Sequence, residues 1–93
     1  MPTDSRVHTV EDYIEIPALT HGDNIFYRVC YGNVNWGTGQ EPHKAIFIVM
    51  NYDGRVSYQT VAHLITTPAS PNSLSEFDQV ITAMQKMRIK YGI

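Results

Sequence analysis

The chain has 93 residues, of which 43% are hydrophobic and 17% are charged, and its formal net charge is −2. This composition is typical of a globular domain and excludes collagen-like, low-complexity and largely disordered sequences. A single cysteine, Cys30, excludes an internal disulfide, and the lack of a long apolar run or a signal pattern predicts a cytoplasmic protein outside the membrane. We expect one domain over residues 1–93, with residues 1–10 loosely ordered.

The first two predicted elements are strands. Residues 12–19 alternate between apolar and polar side chains, and Pro17, which lacks an N–H donor, is typical of a strand end. Residues 25–31 are rich in β-branched and aromatic side chains and predict a second strand. Arg28, in the middle of that strand, is expected either to reach the rim of the sheet or to pair with Glu15 on the first strand.

A long connection at residues 32–43 follows the second strand. It contains the only tryptophan, Trp36, among glycines and asparagines, and aromatic side chains on loops are frequent binding anchors. Residues 44–52 are apolar at nearly every position and predict a central strand. The Asp-Gly pair at 53–54 predicts a type I′ hairpin turn, which leads to a fourth strand over residues 55–65.

The last predicted element is an amphipathic helix over about residues 73–91. Its apolar side chains recur at spacings of three and four: Leu74, Phe77, Val80, Ile81, Met84, Met87 and Tyr91. Ser73 and Glu76 fit a capping box, and Gly92 suits the position that follows the helix. The element order β-β-β-β-α predicts an α+β fold, in which the helix packs on one face of a four-stranded, mostly antiparallel sheet.

The hairpin turn also predicts which side chains share a face of the sheet. Pairing of Tyr52 with Arg55 places Ala45, Phe47, Val49 and Tyr58 on the first face. We expect the helix on this face, where small side chains leave room for it. The second face carries Ile46, Ile48, Met50 and Val61. Without a cover it would expose a large apolar patch, and we expect a second copy of the chain to bury it, with the N-terminal segment or the 32–43 loop as the alternatives.

The predicted binding residues are aromatic and polar side chains of the same sheet and of the long loop. They are Trp36, Tyr27, Tyr31, Gln59 and His63. His63 is expected opposite Lys44 and beside Gln59, where the nearby cation favours the neutral imidazole. It is the one candidate acid–base group, and a solvated or interface histidine is the alternative. The spacing of the histidines predicts no metal site, and no motif predicts a cofactor.

Three functions are compatible with these features. The uncovered second face favours a small non-enzymatic binding or interaction module that acts as a homodimer. The alternative is a small enzyme with a pocket on the mixed sheet face and His63 as its acid–base group. A nucleic-acid-associated protein is the third, with the basic end of the helix as its contact surface, but the negative net charge disfavours it. No motif in the chain identifies a family.

Overall fold

The computed structural model describes residues 8–35 and 42–93, which form an antiparallel sheet followed by one helix. In chain order and in order across the sheet, the elements are β1 (His8–Pro17), β2 (Ile25–Val34), β3 (His43–Tyr52) and β4 (Arg55–Ser57), followed by helix α1 (Glu76–Tyr91). The α+β fold and the strand count expected from the sequence are confirmed. Within the described ranges, no helix has the length and apolar character needed to cross a bilayer.

The first three strands are longer than their sequence patterns predict, although β1 ends at Pro17, two residues before its predicted end. β1 begins at His8, so the last three of the residues expected to be loosely ordered belong to a strand. β2 continues to Val34 and β3 begins at His43, which shortens the expected 32–43 connection at both ends. The extensions include His8, Gly32 and Asn33, which have low strand propensity but occupy paired positions between β1 and β2.

β1 and β2 come unusually close at a bulge in β1. The register shifts between Val10 and Asp12, and Gly32 on β2 pairs with Val10. A Cβ atom on Gly32 would lie 1.9 Å from the carbonyl oxygen of Thr9, so this position accepts no side chain. The glycine therefore permits the close backbone approach at the bulge.

The β3–β4 hairpin has the predicted turn but a much shorter second strand. Both residues of the 53–54 turn have positive φ, as a type I′ turn requires, and Tyr52 pairs with Arg55 as predicted. The prediction that β4 extends to residue 65 is wrong, because the strand ends at Ser57. There the Ser57 hydroxyl lies 2.7 Å from the Thr60 hydroxyl and accepts the Thr60 N–H, which forms a local turn instead of a ladder.

Helix α1 begins two residues later than the predicted capping box places it. Ser75 is the N-cap, with an extended backbone, and its hydroxyl accepts the N–H of Asp78 at 3.0 Å. Ser73 instead accepts the N–H of Ser70 in the turn that precedes the helix. The capping box is therefore wrong, and the carboxylate of Glu76 is directed at other partners, described below.

The helix lies on the second face of the sheet, not on the first. The core beneath it contains Ala18, Tyr27, Val29, Met50, Val80 and Ala83, and the partly buried Ile14, Ile16, Ile46, Ile48, Ala62 and Leu64 pack against it. We call this the helix face and its opposite the outer face. The expected helix seat on Ala45, Phe47 and Val49 is wrong because α1 contacts β1 and β2, whose outer face carries the charged Glu15 and Arg28.

This placement removes the reason for an interface between copies through the second face. Met50 is buried, and Ile46 and Ile48 pack against the core that the helix covers. Val61 is 70% exposed, but it lies beyond the end of β4 and not on the sheet. A contact between copies would therefore use a different surface.

The outer face is organised by one ion pair. The Arg28 guanidinium binds Glu15 Oε2 through Nε at 3.0 Å and Nη2 at 2.9 Å, which is the pairing that the sequence offered as one alternative. Asn51 donates to the same carboxylate oxygen at 2.7 Å, and the guanidinium lies 4.1 Å from the centre of the Tyr13 ring. Cys30 is buried on this face, and burial raises the pKa of its thiol to about 11, so the thiol stays protonated near neutral pH.

Candidate functional site

The hydroxyl of Tyr27, in the middle of the helix face, contacts polar groups from three parts of the chain. The Tyr27 side chain is completely buried, and a buried phenol requires hydrogen-bond partners. Its oxygen lies 2.6 Å from Glu76 Oε1, 2.7 Å from the backbone carbonyl oxygen of His63 and 3.0 Å from His21 Nε2. These partners come from the start of α1, from the segment after β4 and from the loop before β2, so the hydroxyl joins three parts of the chain. We call Thr20, His21, Tyr27, Glu76 and the His63 carbonyl the Tyr27 cluster.

Glu76, the first residue of α1, is the charged member of the Tyr27 cluster. Its Oε2 accepts the backbone N–H of Thr20 at 3.1 Å and also the Thr20 hydroxyl, while Oε1 accepts from Tyr27. Partial burial by itself would raise the pKa of Glu76, but the hydrogen bonds from Thr20 and Tyr27 outweigh burial and lower it. The carboxyl is therefore ionised at neutral pH.

The Tyr27 hydroxyl is protonated near neutral pH. Burial raises the pKa of its hydroxyl well above the ordinary value, and the hydrogen bond to the Glu76 carboxylate raises it further. A phenol in this environment keeps its proton throughout the physiological range. Tyr27 therefore orients Glu76 and does not act as a base.

A cavity of about 270 Å³ adjoins the Tyr27 cluster at the N-terminal end of α1. Thr20 and Glu76 belong both to the cluster and to the lining of the cavity. The other lining side chains come from the end of β1 and the loop after it, from the segment before α1 and from α1 itself. They are mostly apolar: Pro17, Leu19, Ala69 and Leu74, with Thr67 and Gln79. The cavity thus presents one carboxylate in an apolar surrounding.

The residues predicted from the sequence do not form one site. Tyr27 is central to the cluster, but His63 contributes its backbone carbonyl, and its side chain is exposed. The expected pairing of His63 with Lys44 is not formed, because β4 ends before it, and Gln59 lies exposed in the same segment. Trp36 lies outside the described residues.

Tyr31 lies further along β2, near the C-terminal end of α1. Its ring stacks on Tyr91 with centroids 4.0 Å apart. The Tyr91 hydroxyl donates to Asp12 Oδ2 at 2.6 Å, and Lys90 Nζ binds the same oxygen at 2.7 Å. These contacts hold the end of the helix against β1, which makes Tyr31 part of a packing cluster separate from the cavity.

A second concave surface lies between β3 and the C-terminal half of α1. It measures about 430 Å³ and is lined by Ile46, Met84, Arg88 and Ile93; we call it the apolar hollow. Ile93 is 51% exposed there, although it is a large apolar side chain. The hollow adjoins the edge of β3, so an apolar surface and a strand edge occur side by side.

The sequence does not indicate that Thr20, His21 and Glu76 belong to one cluster. They are separated by as many as 56 positions in the chain, so no local spacing connects them. The available signal was Tyr27 itself, since a phenol on the buried face of a strand needs a polar partner. Within residues 8–35 and 42–93, no three His, Cys, Asp or Glu side chains are arranged to hold a metal ion.

Comparison with known proteins gives no relative: no protein-family model, curated protein or solved structure matches the chain. The geometry described above is therefore the basis for any functional assignment.

Proposed function

We propose that the protein is a small non-enzymatic interaction module that forms a homodimer through the edge of β3. The observation that supports this proposal is the difference in length between β3 and β4. Only Met50–Tyr52 of β3 pair with β4, and no described residue continues that ladder toward Lys44. Six residues of β3, Lys44–Val49, thus extend beyond the ladder with an edge available for pairing.

The register of the hairpin turn determines which backbone N–H and C=O groups of β3 point to this edge. Tyr52 and Arg55 close a two-residue turn and so exchange hydrogen bonds across it. By the two-residue period of a strand, Ile48 and Ile46 direct their N–H and C=O groups to the same side. Unpaired groups of this kind are a template for another strand.

The two long edges of the sheet differ in the features that prevent pairing. β1, at the far edge, has a bulge between Val10 and Asp12, three acidic side chains, and Pro17 at its end. Each of these is a common protection against edge-to-edge association. The 44–49 edge of β3 has one charge, Lys44, which is bound to Glu11, followed by Ala-Ile-Phe-Ile-Val. The absence of such protection supports the proposal that another strand covers the 44–49 edge of β3 in the functional state.

A second copy of the chain fits this edge because the edge is complementary to itself. A two-fold axis at Ile46 pairs the two β3 strands antiparallel, with Lys44 of each copy opposite Ile48 of the other. Both helix faces then lie on the same side of one continuous sheet. The partner strand also covers the side of the apolar hollow that Ile46 forms.

Mass in solution, measured by light scattering over a range of concentrations, tests this proposal. We expect twice the 10.6 kDa of one chain for the wild type. Ile46→Lys should give the mass of one chain with an unchanged circular dichroism spectrum, because lysine on an edge opposes pairing and its ammonium can reach water from the hollow. Val61→Lys is the matched control, since it adds the same charge at an exposed apolar position away from the edge, and it should remain a dimer.

Two results would refute the homodimer. One is a wild-type mass of 10.6 kDa at every concentration. The other is an Ile46→Lys variant that keeps the doubled mass, since this would place the contact on a different surface. An unfolded Ile46→Lys variant is recognised by its spectrum, and Lys44→Pro then tests the same edge without a change in the core.

The enzyme hypothesis based on His63 has less support. The His63 side chain lies outside the Tyr27 cluster, Tyr27 retains its proton, and the lowered pKa of Glu76 makes this carboxylate a poor base. The other titratable member of the cluster, His21, has its Nε2 within hydrogen-bond distance of the Tyr27 hydroxyl and the His63 carbonyl oxygen. A cytoplasmic location belongs to the proposal, because a single cysteine is compatible with a reducing compartment.

A further inference from the structure

We propose that the cavity beside Glu76 binds a small organic cation, an ammonium or guanidinium group on a short apolar stem. The proposal is independent of the homodimer, because the cavity lies at the N-terminal end of α1, whereas the apolar hollow and the β3 edge lie toward its C-terminal half. It depends on three features of the cavity: a carboxylate that forms no ion pair with a described residue, a free acceptor position and apolar walls.

Among the described residues, no Lys, Arg or His side chain forms an ion pair with the Glu76 carboxylate, although the nearby His21 contributes to its lowered pKa. Three ion pairs connect described side chains, and they involve Glu15, Glu11 and Asp12. The groups that bind Glu76, by contrast, are neutral: the Tyr27 hydroxyl and the hydroxyl and N–H of Thr20. A cation bound in the cavity would therefore form a direct ion pair that no described residue forms with Glu76.

The carboxylate also has acceptor capacity left. A carboxylate offers about four acceptor positions, two on each oxygen. Thr20 occupies two positions on Oε2, and Tyr27 occupies one on Oε1. The remaining position on Oε1 can accept one N–H of a ligand. Because Thr20 and Tyr27 already fix the orientation of the carboxylate, binding requires little further ordering of this group.

The walls of the cavity determine what the cation is attached to. Leu19 and Leu74 are 71% and 60% exposed, although both are large apolar side chains, and Pro17 and Ala69 complete the apolar surface. At about 270 Å³, the cavity is below the usual range for drug-sized ligands. A chain of a few methylene groups that ends in an ammonium fits this volume and both kinds of surface.

Stabilisation by the helix dipole alone does not explain why the Glu76 carboxylate lines the cavity. Acidic side chains in a first helical turn are stabilised by the dipole, and Asp78 has that position without lining the cavity. Asp78 therefore provides a matched control, since Asp78→Asn removes the same charge from the same turn of α1. Glu76→Gln keeps the size of the side chain and an oxygen for Thr20, but removes the charge.

Titration of the folded protein with n-butylammonium, followed through the backbone amide resonances of Thr20 and Gln79, tests the proposal. n-Butanol serves as the probe with the same stem and no charge. We expect saturable shifts with the amine and binding about tenfold weaker for the alcohol and for Glu76→Gln, the change expected when one charged hydrogen bond is lost. Asp78→Asn should bind as the wild type does.

Ala69→Phe provides a second variant that leaves the hydrogen bonds of Glu76 in place. It fills the cavity from an exposed loop position, so it should abolish binding even if Glu76→Gln fails to fold. A blocked tripeptide with a central lysine distinguishes the source of the cation. Tighter binding than butylammonium indicates a lysine side chain of a protein partner, and weaker binding indicates a free amine.

Three results would overturn the proposal. The first is the absence of a saturable shift at Thr20 with butylammonium, butylguanidinium or the tripeptide. The second is equal affinity for butanol and butylammonium, since the carboxylate would then have no part in binding. The third is wild-type affinity in both Glu76→Gln and Ala69→Phe, because binding would then occur elsewhere on the protein.

Discussion

The Tyr27 hydroxyl has one hydrogen and three polar neighbours within 3.0 Å. The Glu76 carboxylate and the His63 carbonyl both accept, so they share this hydrogen, and the His21 ring nitrogen can donate to the same region. Removal of the hydroxyl would leave these groups without their common partner beside the completely buried Tyr27 side chain. The cost of a buried polar group without a partner exceeds the value of the hydrogen bond itself.

Tyr27→Phe should therefore lower the free energy of unfolding by about 2 kcal/mol, measured by urea denaturation. Tyr91→Phe is the matched control, because the Tyr91 hydroxyl also donates to a carboxylate, that of Asp12, but from a partly exposed position. We expect a smaller loss for the control. Equal losses would mean that the Tyr27 cluster contributes no more than a surface hydrogen bond.

Asp12 gives the protein an acid-sensitive contact between β1 and the end of α1. Hydrogen bonds from Lys90 and Tyr91 lower the pKa of Asp12 from 3.8 to about 2. A carboxyl whose pKa is lower in the folded state stabilises the fold above its ordinary pKa, and this contribution disappears as the pH falls through the folded value. Asp12 thus adds to the loss of stability between about pH 4 and pH 2.

Asp12→Asn should flatten the dependence of the unfolding free energy on pH in this interval. Urea denaturation at a series of pH values measures the slope. Asp23→Asn, an exposed loop position, should leave the slope as it is in the wild type. If the slope of Asp12→Asn matches the wild type, the contacts of Asp12 with Lys90 and Tyr91 are not maintained in solution.

At the scale of the elements, helix α1 is attached to the sheet at both ends. Glu76 binds Tyr27 of β2 and Thr20 of the preceding loop, while Lys90 and Tyr91 bind Asp12 of β1. Apolar packing between these ends holds the helix against the sheet. It does not determine the position of the helix along the helix axis. The polar contacts specify that position, since each is made at only one register.

Ser75→Ala tests where the helix begins. Loss of the N-cap hydroxyl should lower the free energy of unfolding by about 1 kcal/mol, because the N–H of Asp78 loses its acceptor. Ser73→Ala is the control in the preceding turn, where Ser73 bonds to Ser70, and we expect a smaller loss from it. A larger loss from Ser73→Ala would restore the capping box predicted from the sequence.

At the scale of the whole molecule, the stability of a small domain depends on whether it associates. A chain of 93 residues without a disulfide buries a limited apolar core, and association adds to its stability by mass action. If the β3 edges pair, the free energy of unfolding is coupled to the concentration of the chain. A monomer has no such dependence.

We expect a tenfold increase in protein concentration to raise the apparent free energy of unfolding by about 1.4 kcal/mol per dimer. Urea denaturation at two concentrations measures this change. Ile46→Lys should unfold at the same urea concentration in both samples. A wild-type midpoint that does not depend on concentration would contradict the homodimer even if an association is detected under other conditions.

The sequence by itself determined the features that depend on neighbouring residues. The 53–54 turn and its register follow from the demand for positive φ at two adjacent positions, and Gly92 adopts the left-handed conformation expected after a helix. The order of the elements follows from the periods of their apolar residues, because a strand and a helix each bury one side at a fixed spacing.

Only the tertiary structure decided which face the helix covers and what Tyr27 binds. The hairpin of β3 and β4 is compatible with a helix on either face. The charged Glu15 and Arg28 lie on the outer face of β1 and β2, so the helix packs on the opposite, apolar face. The Tyr27 cluster likewise joins residues from three parts of the chain that no local pattern relates. Both outcomes depend on burial and on contacts between distant residues, whose free energies are determined only when the chain is packed.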